Sequence, residues 1–289
     1  MGWEEERIVI VDDRANRWNN ELGIIVTAHH GQRVFMKACL ESLQGLGWIL
    51  VVYDNPQDRY EINMLDSYHY QLIDQFCMKH PTKEVPGPTY PQFWNYRNGI
   101  DLMIGRNCKY IFTIGADSVL ERPEGIWEVA ELLGDGDIIS CSTKNPTRHK
   151  EAFCGTKSFL VKTQAFKAIV DYLQELYVPW KNVGNMEVRF GRAIRDLKIN
   201  EVIVPELPLE DQFAHSYDKE GNCINRGTWG ALLGYRHLAG ENKIRKVNKI
   251  KPVEEKYFDK KYIQPKELQH LEKYWETKDW THVENWWKT

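Results

Sequence analysis

The sequence has no CxxC pair. Its 6 cysteines, at Cys39, Cys77, Cys108, Cys141, Cys154 and Cys223, are scattered. That pattern argues against a zinc site and suits free thiols in a reducing cytoplasm. No apolar run approaches the roughly 18 residues of a membrane-spanning helix, and no basic-then-apolar leader opens the chain. A transmembrane segment and secretion are therefore not expected. Charge of one sign is lacking as well: the formal net charge is -3 over 289 residues, so no global positive field points to nucleic acid. Three nucleophile and phosphate motifs are also absent. There is no GxGxxG for a dinucleotide, no GxxxxGK[ST] for a P-loop and no GxSxG for an α/β-hydrolase. What remains is ordinary globular material, 42% hydrophobic and 27% charged, with length for a large core. The 11 tryptophans are unusual, and Trp275, Trp280, Trp286 and Trp287 crowd the C-terminus.

The first twenty or so residues are polar apart from Ile8 to Val11 and read as an arm over 1–21. Regular patterning then begins. Leu22 to Val26 is a β-branched apolar run and reads as a buried strand. Arg33 to Leu43 has helical spacing, and Trp48 to Tyr53 reads as a second buried strand. A helix is expected over 59–79, a Pro/Gly-rich loop over 81–91, a helix over 93–104 and a third strand over 110–114. Alternating strands and helices imply a mostly parallel sheet flanked by helical crossovers, an α/β class. Beyond it the pattern predicts a helix over 123–133, strands over 137–141 and 158–161, helices over 164–176 and 186–197, and a strand over 202–204. From 236 to 261 Lys and Arg outnumber acids by about two to one. With few apolar residues, this stretch reads as a loop, arm or lid. A last helix is expected over 265–275. The expected units are 1–21, 22–235 and a basic, Trp-rich extension over 236–289 that packs on the main domain or closes over it.

Four phrases stand in a telling order. Ile25-Val26-Thr27-Ala28-His29 leads into Cys39-Leu40-Glu41-Ser42-Leu43. Val51-Val52-Tyr53-Asp54 ends the second strand, Tyr96-Arg97-Asn98-Gly99 lies in the helix before the third, and that strand runs into Gly115-Ala116-Asp117-Ser118. Over roughly residues 22 to 120, and more loosely to His215, the chain resembles the family-2 kind of GT-A glycosyltransferases. The resemblance implies a GT-A-type, Rossmann-like fold. It also implies transfer of a sugar from a nucleoside diphosphate sugar donor, metal-assisted and inverting.

The resemblance, together with the rule that such sheets bind ligands at the carboxyl ends of their strands, implies roles for particular residues. Thr27, Ala28, His29 and Asp54 would frame base and ribose. Arg97, Asn98 and Ala116 would also face the donor. Asp117 stands at the metal-binding position of a DxD-type motif whose first aspartate is Gly115 here, and His215 lies where related enzymes supply a later histidine. The ion would be Mn2+ or Mg2+, a Lewis acid for charge on the leaving phosphate. Arg236, Lys243, Arg245 and Lys246 offer another means of neutralising phosphates. For the general base the corresponding helix start carries Glu187, with Glu210 and Asp211 in reserve. Gly155, Trp180 and Trp229 are expected at the acceptor, because small residues admit a substrate to the backbone and aromatic faces pack on sugar rings. The acceptor stays open among a glycan, a lipid-linked sugar, a small molecule, a protein and a nucleic-acid base. So do two other functions, a sugar nucleotidyltransferase and a non-catalytic binder of the same fold.

Overall fold

The computed structural model of the protein describes residues 21–28, 31–53, 73–77, 89–140, 158–176, 186–202, 232–286 and 288. At 73–77, 89–95, 98, 140, 175–176, 186–187 and 285–286 the backbone alone is described.

Seven strands form one sheet: β1 (Leu22–Ala28), β2 (Trp48–Tyr53), β3 (Ile73–Cys77), β4 (Tyr110–Gly115), β6 (Ile138–Ser140), β7 (Phe159–Lys162) and β8 (Glu201–Val202), in the order β3-β2-β1-β4-β7-β6-β8. Among the described residues two further strands, β5 (Ser118–Leu120) and β9 (Tyr235–His237), pair with each other as a separate ribbon. In the large sheet β1 pairs in parallel with β2 and β4, β2 with β3, and β6 with β8. β7 runs against both of its neighbours. The chain is thus an α/β protein with a mostly parallel, Rossmann-like sheet.

Every residue of β1 is buried, as expected of a parallel strand covered on both faces. Its side chains alternate between two cores. Ile24, Val26 and Ala28 join Val51, Phe112 and Ile114 on one face, under α1 (Arg33–Ser42) and α3 (Ile126–Leu133). Ile25 faces the other way, toward α2 (Thr89–Gly105), α4 (Thr163–Leu176) and α5 (Met186–Asp196). On this second face Tyr96, Phe159, Phe166 and Phe190 form a four-ring cluster with centroids 5.2–6.1 Å apart, joining α2, β7, α4 and α5. Edge-to-face pairs of this kind add about 0.5–1.5 kcal/mol each beyond their buried area. Gly99 lets α2 lie close on β1: a Cβ there would stand 2.8 Å from Ile25 Cδ1.

The C-terminal part departs from the sequence expectation. The 236–261 stretch is not an irregular loop. It contains the end of β9, then α6 (Leu238–Val247) and two single-turn 3-10 helices. Residues 265–277 form α7 (Pro265–Thr277), followed by α8 (Thr281–Trp286). The β5–β9 ribbon and the chain after α6 cover the outer face of α1, where Phe35 and Ala38 pack against Val119, Leu238, Val253 and Tyr257. Ion pairs flank this apolar contact. Arg236 grips Glu241 through Nε (2.9 Å) and Nη2 (2.7 Å), and reaches Glu121 (2.7 Å) and Tyr257 Oη (2.9 Å) through Nη1. The expected boundary between 235 and 236 falls inside β9.

A further difference concerns β3. Within the 59–79 span expected to be a helix, Ile73–Cys77 is instead a strand, in register with Ile49–Tyr53 of β2, and the rest of that span lies outside the described residues.

Candidate functional site

The strand order marks the place where a ligand fits. From β1 the chain crosses to β2 and β3 on one side, then returns to β4 on the other. Open α/β sheets bind ligands at such a reversal, outside the carboxyl ends of the strands. Here that point lies between β1 and β4, where Thr27 is level with Gly115. The Ala116 amide donates to the Thr27 carbonyl at 2.9 Å, which carries the pairing one residue further. Asp117 comes next, at the mouth of the reversal.

Asp117 is 6% exposed. Its Oδ2 stands 2.9 Å from Nε2 of His237, and its carbonyl accepts the Leu238 amide at 2.8 Å. The ribbon accounts for this meeting: β5 leaves directly from Asp117, and its Ser118 is opposite His237 in β9. The hydroxyls of Ser118 and Tyr235, 2.8 Å apart, lock the same face of the ribbon. A Cβ added to Gly115 would stand 2.9 Å from Asp117 Oδ1, so the carboxylate leans back over that glycine. Cys39 in α1 donates its thiol to the Gly115 carbonyl at 3.7 Å. Burial, and then the Asp117 charge, push that thiol well above the ordinary cysteine range.

Sequence reasoning expected the histidine of this pair at 215. His215 lies outside the described residues, and the histidine that meets Asp117 is His237, which was not singled out. The signal available for it was the short alternation Tyr235-Arg236-His237, which puts Tyr and His on one face of a strand and Arg on the other. Among the described residues no group of three or more His, Cys, Asp or Glu could hold a metal ion.

The other expected residues divide clearly. Thr27, Ala28 and Ala116 are at the reversal but buried, with Ala28 and Ala116 packed into the core under α1. They can offer backbone to a ligand, and little side chain. Arg97 is occupied between helices, with Nε on Gln174 Oε1 at 2.9 Å and Nη1 on Asp101 Oδ1 at 2.6 Å. Asn98 is described in backbone only, beside it in α2. Glu187 lies in the first turn of α5, likewise in backbone only. Since α5 runs back to the start of β8, which is parallel to β6, its first turn is on the carboxyl edge with Asp117. His29, Asp54, Gly155, Trp180, Glu210, Asp211 and Trp229 lie outside the described residues.

Two cations of the basic segment lie beside acids. Burial works against the Arg236 cation, but its hydrogen bonds to Glu241 and Glu121 overcome this and raise its pKa far above the ordinary value. Its fork is spent on those acids. Arg245 is buried, with Nη2 4.0 Å from Glu241.

No protein-family model matches the chain, and no curated protein does. Among solved structures it is similar to a 4-diphosphocytidyl-2C-methyl-D-erythritol synthase from Anaerococcus prevotii DSM 20548. The identity is 11%, the overlap covers 63% of this chain and 87% of that one, and the TM-score is 0.42. Among the described residues no helix is long and apolar enough to cross a membrane.

Proposed function

We propose that this chain is a glycosyltransferase that takes a nucleoside diphosphate sugar at the β1–β4 reversal, with Asp117 and His237 holding a divalent cation beneath the diphosphate. The observation that carries the reading is the buried Asp117–His237 contact of 2.9 Å at the carboxyl end of β4. A carboxylate with an imidazole suits manganese better than magnesium, which favours oxygen ligands and water. When bound, the cation would supply Lewis-acid stabilisation of the leaving diphosphate. In the transfer, an acceptor oxygen forms a bond to the anomeric carbon as the bond from that carbon to the β-phosphate oxygen breaks. The nucleoside diphosphate leaves, and the acceptor proton passes to a carboxylate base. Glu187 is the first candidate for that base. A helix N-terminus favours the ionised form a base needs, and the first turn of α5 faces the same sheet edge.

The test is a screen of UDP-, GDP-, CMP- and TDP-sugars by thermal shift, with and without Mn2+, followed by release of the nucleotide product. A binding partner of the native state at about 100 times its Kd adds about 2.7 kcal/mol of stability. One donor should raise the melting temperature in a Mn2+-dependent way, and Asp117→Asn and His237→Ala should each abolish that dependence while folding normally. Pyrophosphate release from a nucleoside triphosphate and a sugar phosphate would assign nucleotidyl transfer instead. Donor binding without any turnover would make the chain a binder. If no nucleotide shifts the melting temperature, the proposal fails.

A further inference from the structure

We infer that Arg236 is a positioning residue: its ion-paired fork sets the register of β9 and so holds the His237 imidazole against Asp117. The metal role of that imidazole rests on the function proposed above, whereas the register claim does not.

Neighbouring residues of a strand point to opposite faces, so a slip by one residue exchanges every side chain between them. In β9, Tyr235 and His237 face Ser118 and Asp117, while Arg236 points to the opposite side. The ribbon has three ladder pairs, Ser118 with His237, Val119 with Arg236 and Leu120 with Tyr235, and the Glu121 and Arg122 amides continue it to the Gly234 and Leu233 carbonyls at 3.2 and 2.9 Å. A two-stranded ribbon is marginal on its own. Arg236 adds a side-chain lock to it. Its fork closes on both Glu241 oxygens, 2.9 and 2.7 Å away, and Nη1 reaches Glu121 at the end of β5 and Tyr257 beyond α6. Tyr257 donates to the same Glu121 oxygen at 2.9 Å, so the partners also hold each other. A slipped strand would carry the guanidinium to the face that holds Ser118 and Asp117, leave buried Glu241 with Arg245 alone at 4.0 Å, and withdraw His237 from Asp117. Planar two-point pairing specifies position, where a point charge does not.

The experiment observes His237 directly, in protein labelled with 15N histidine and without ligand. In the native chain the proton shared by His237 Nε2 and Asp117 should be protected from exchange and visible by NMR, and Asp117→Asn should remove or shift that signal. Arg236→Met should lose it. Arg236→Lys, which keeps the charge without the fork, should lose it as well. Leu173→Ala, a truncation in the core on the other face of the sheet, serves as a control for lowered stability and should keep it. If Arg236→Met does not fold, the pair Glu121→Gln with Tyr257→Phe loosens the same fork and should weaken protection at least tenfold. An unchanged His237 signal in Arg236→Met or in Arg236→Lys overturns the inference, as does equal loss in Leu173→Ala. Mn2+ affinity, read by electron paramagnetic resonance on the same proteins, separates the two proposals. Native protein that shows the imidazole signal but binds no Mn2+ with any nucleotide sinks the metal reading and leaves the register claim intact.

Discussion

Replacing Glu241 by glutamine should be among the costliest single-atom changes in this protein. The Glu241 side chain is 0% exposed, and it faces Arg236, 17% exposed, and Arg245, 6% exposed. Its two oxygens accept two guanidinium hydrogen bonds from Arg236. Glutamine has the same size but one acceptor, so an amide N–H must turn toward an arginine N–H. Both cations then lose the Glu241 counter-charge. Removing one partner of a buried pair costs about 3–5 kcal/mol, because the remaining charge stays buried without compensation. Glu121 still holds one arm of Arg236 at 2.7 Å, so the lower end, about 3 kcal/mol, applies here. For a chain of this size that corresponds to a fall in Tm of about 6–12 °C. The companion variant is Glu254→Gln, whose carboxylate lies 3.5 Å from Arg236 and is 56% exposed; its loss should cost less than about 0.5 kcal/mol. Urea and thermal unfolding at neutral pH, followed by circular dichroism, measure both. Equal losses for the two variants, or a loss below about 1 kcal/mol for Glu241→Gln, would refute the view that this cluster acts as buried core.

Three other outcomes are expected. Burial, and next the hydrogen bond to Glu121, hold the Tyr257 phenol well above the ordinary tyrosine value. The unfolded chain therefore loses this proton first, so the contribution is complete below about pH 10 and declines as pH rises beyond it; Tyr257→Phe should flatten that alkaline limb in urea titrations from pH 8 to 11. Burial pushes the Cys108 thiol up to about 11 and the buried Cys39 thiol higher still. Peptide mapping after iodoacetamide at pH 8 should find both unmodified in native protein and modified after denaturation, and rapid native labelling of either would contradict the burial. Gly125→Ala would set a Cβ 2.0 Å from the Leu232 carbonyl oxygen, a backbone atom that cannot turn aside. It should cost about 2–3 kcal/mol by overpacking, measured by denaturant unfolding.

The parts of the fold that were legible from residues alone are those whose signal is local. β1, β2 and β4 are runs of branched apolar residues because parallel strands are buried on both faces, and the helix between β1 and β2 announces itself by spacing. β3 was misread because Leu72, Ile73, Phe76 and Cys77 also suit a helix, and an edge strand is decided by its partner, here β2. The β9–α6 region was misread for a different reason. Its contacts join residues far apart in sequence, Glu121 with Arg236 and Tyr257, so a scan for apolar periodicity finds little. Asp117 could be picked out because it follows a buried strand. For His237 the alternation of residues 235–237 gives a strand face but not the partner, which lies 120 positions away and is reached only through the ribbon.

The glycine at 115 has a consequence for anyone seeking or engineering such proteins. A side chain at that position would have to share space with Asp117, whose Oδ1 lies 2.9 Å from where a new Cβ would go. Placing an acid there would push Asp117 from its seat beside the imidazole. The small residue and the ribbon that carries His237 are therefore to be altered together.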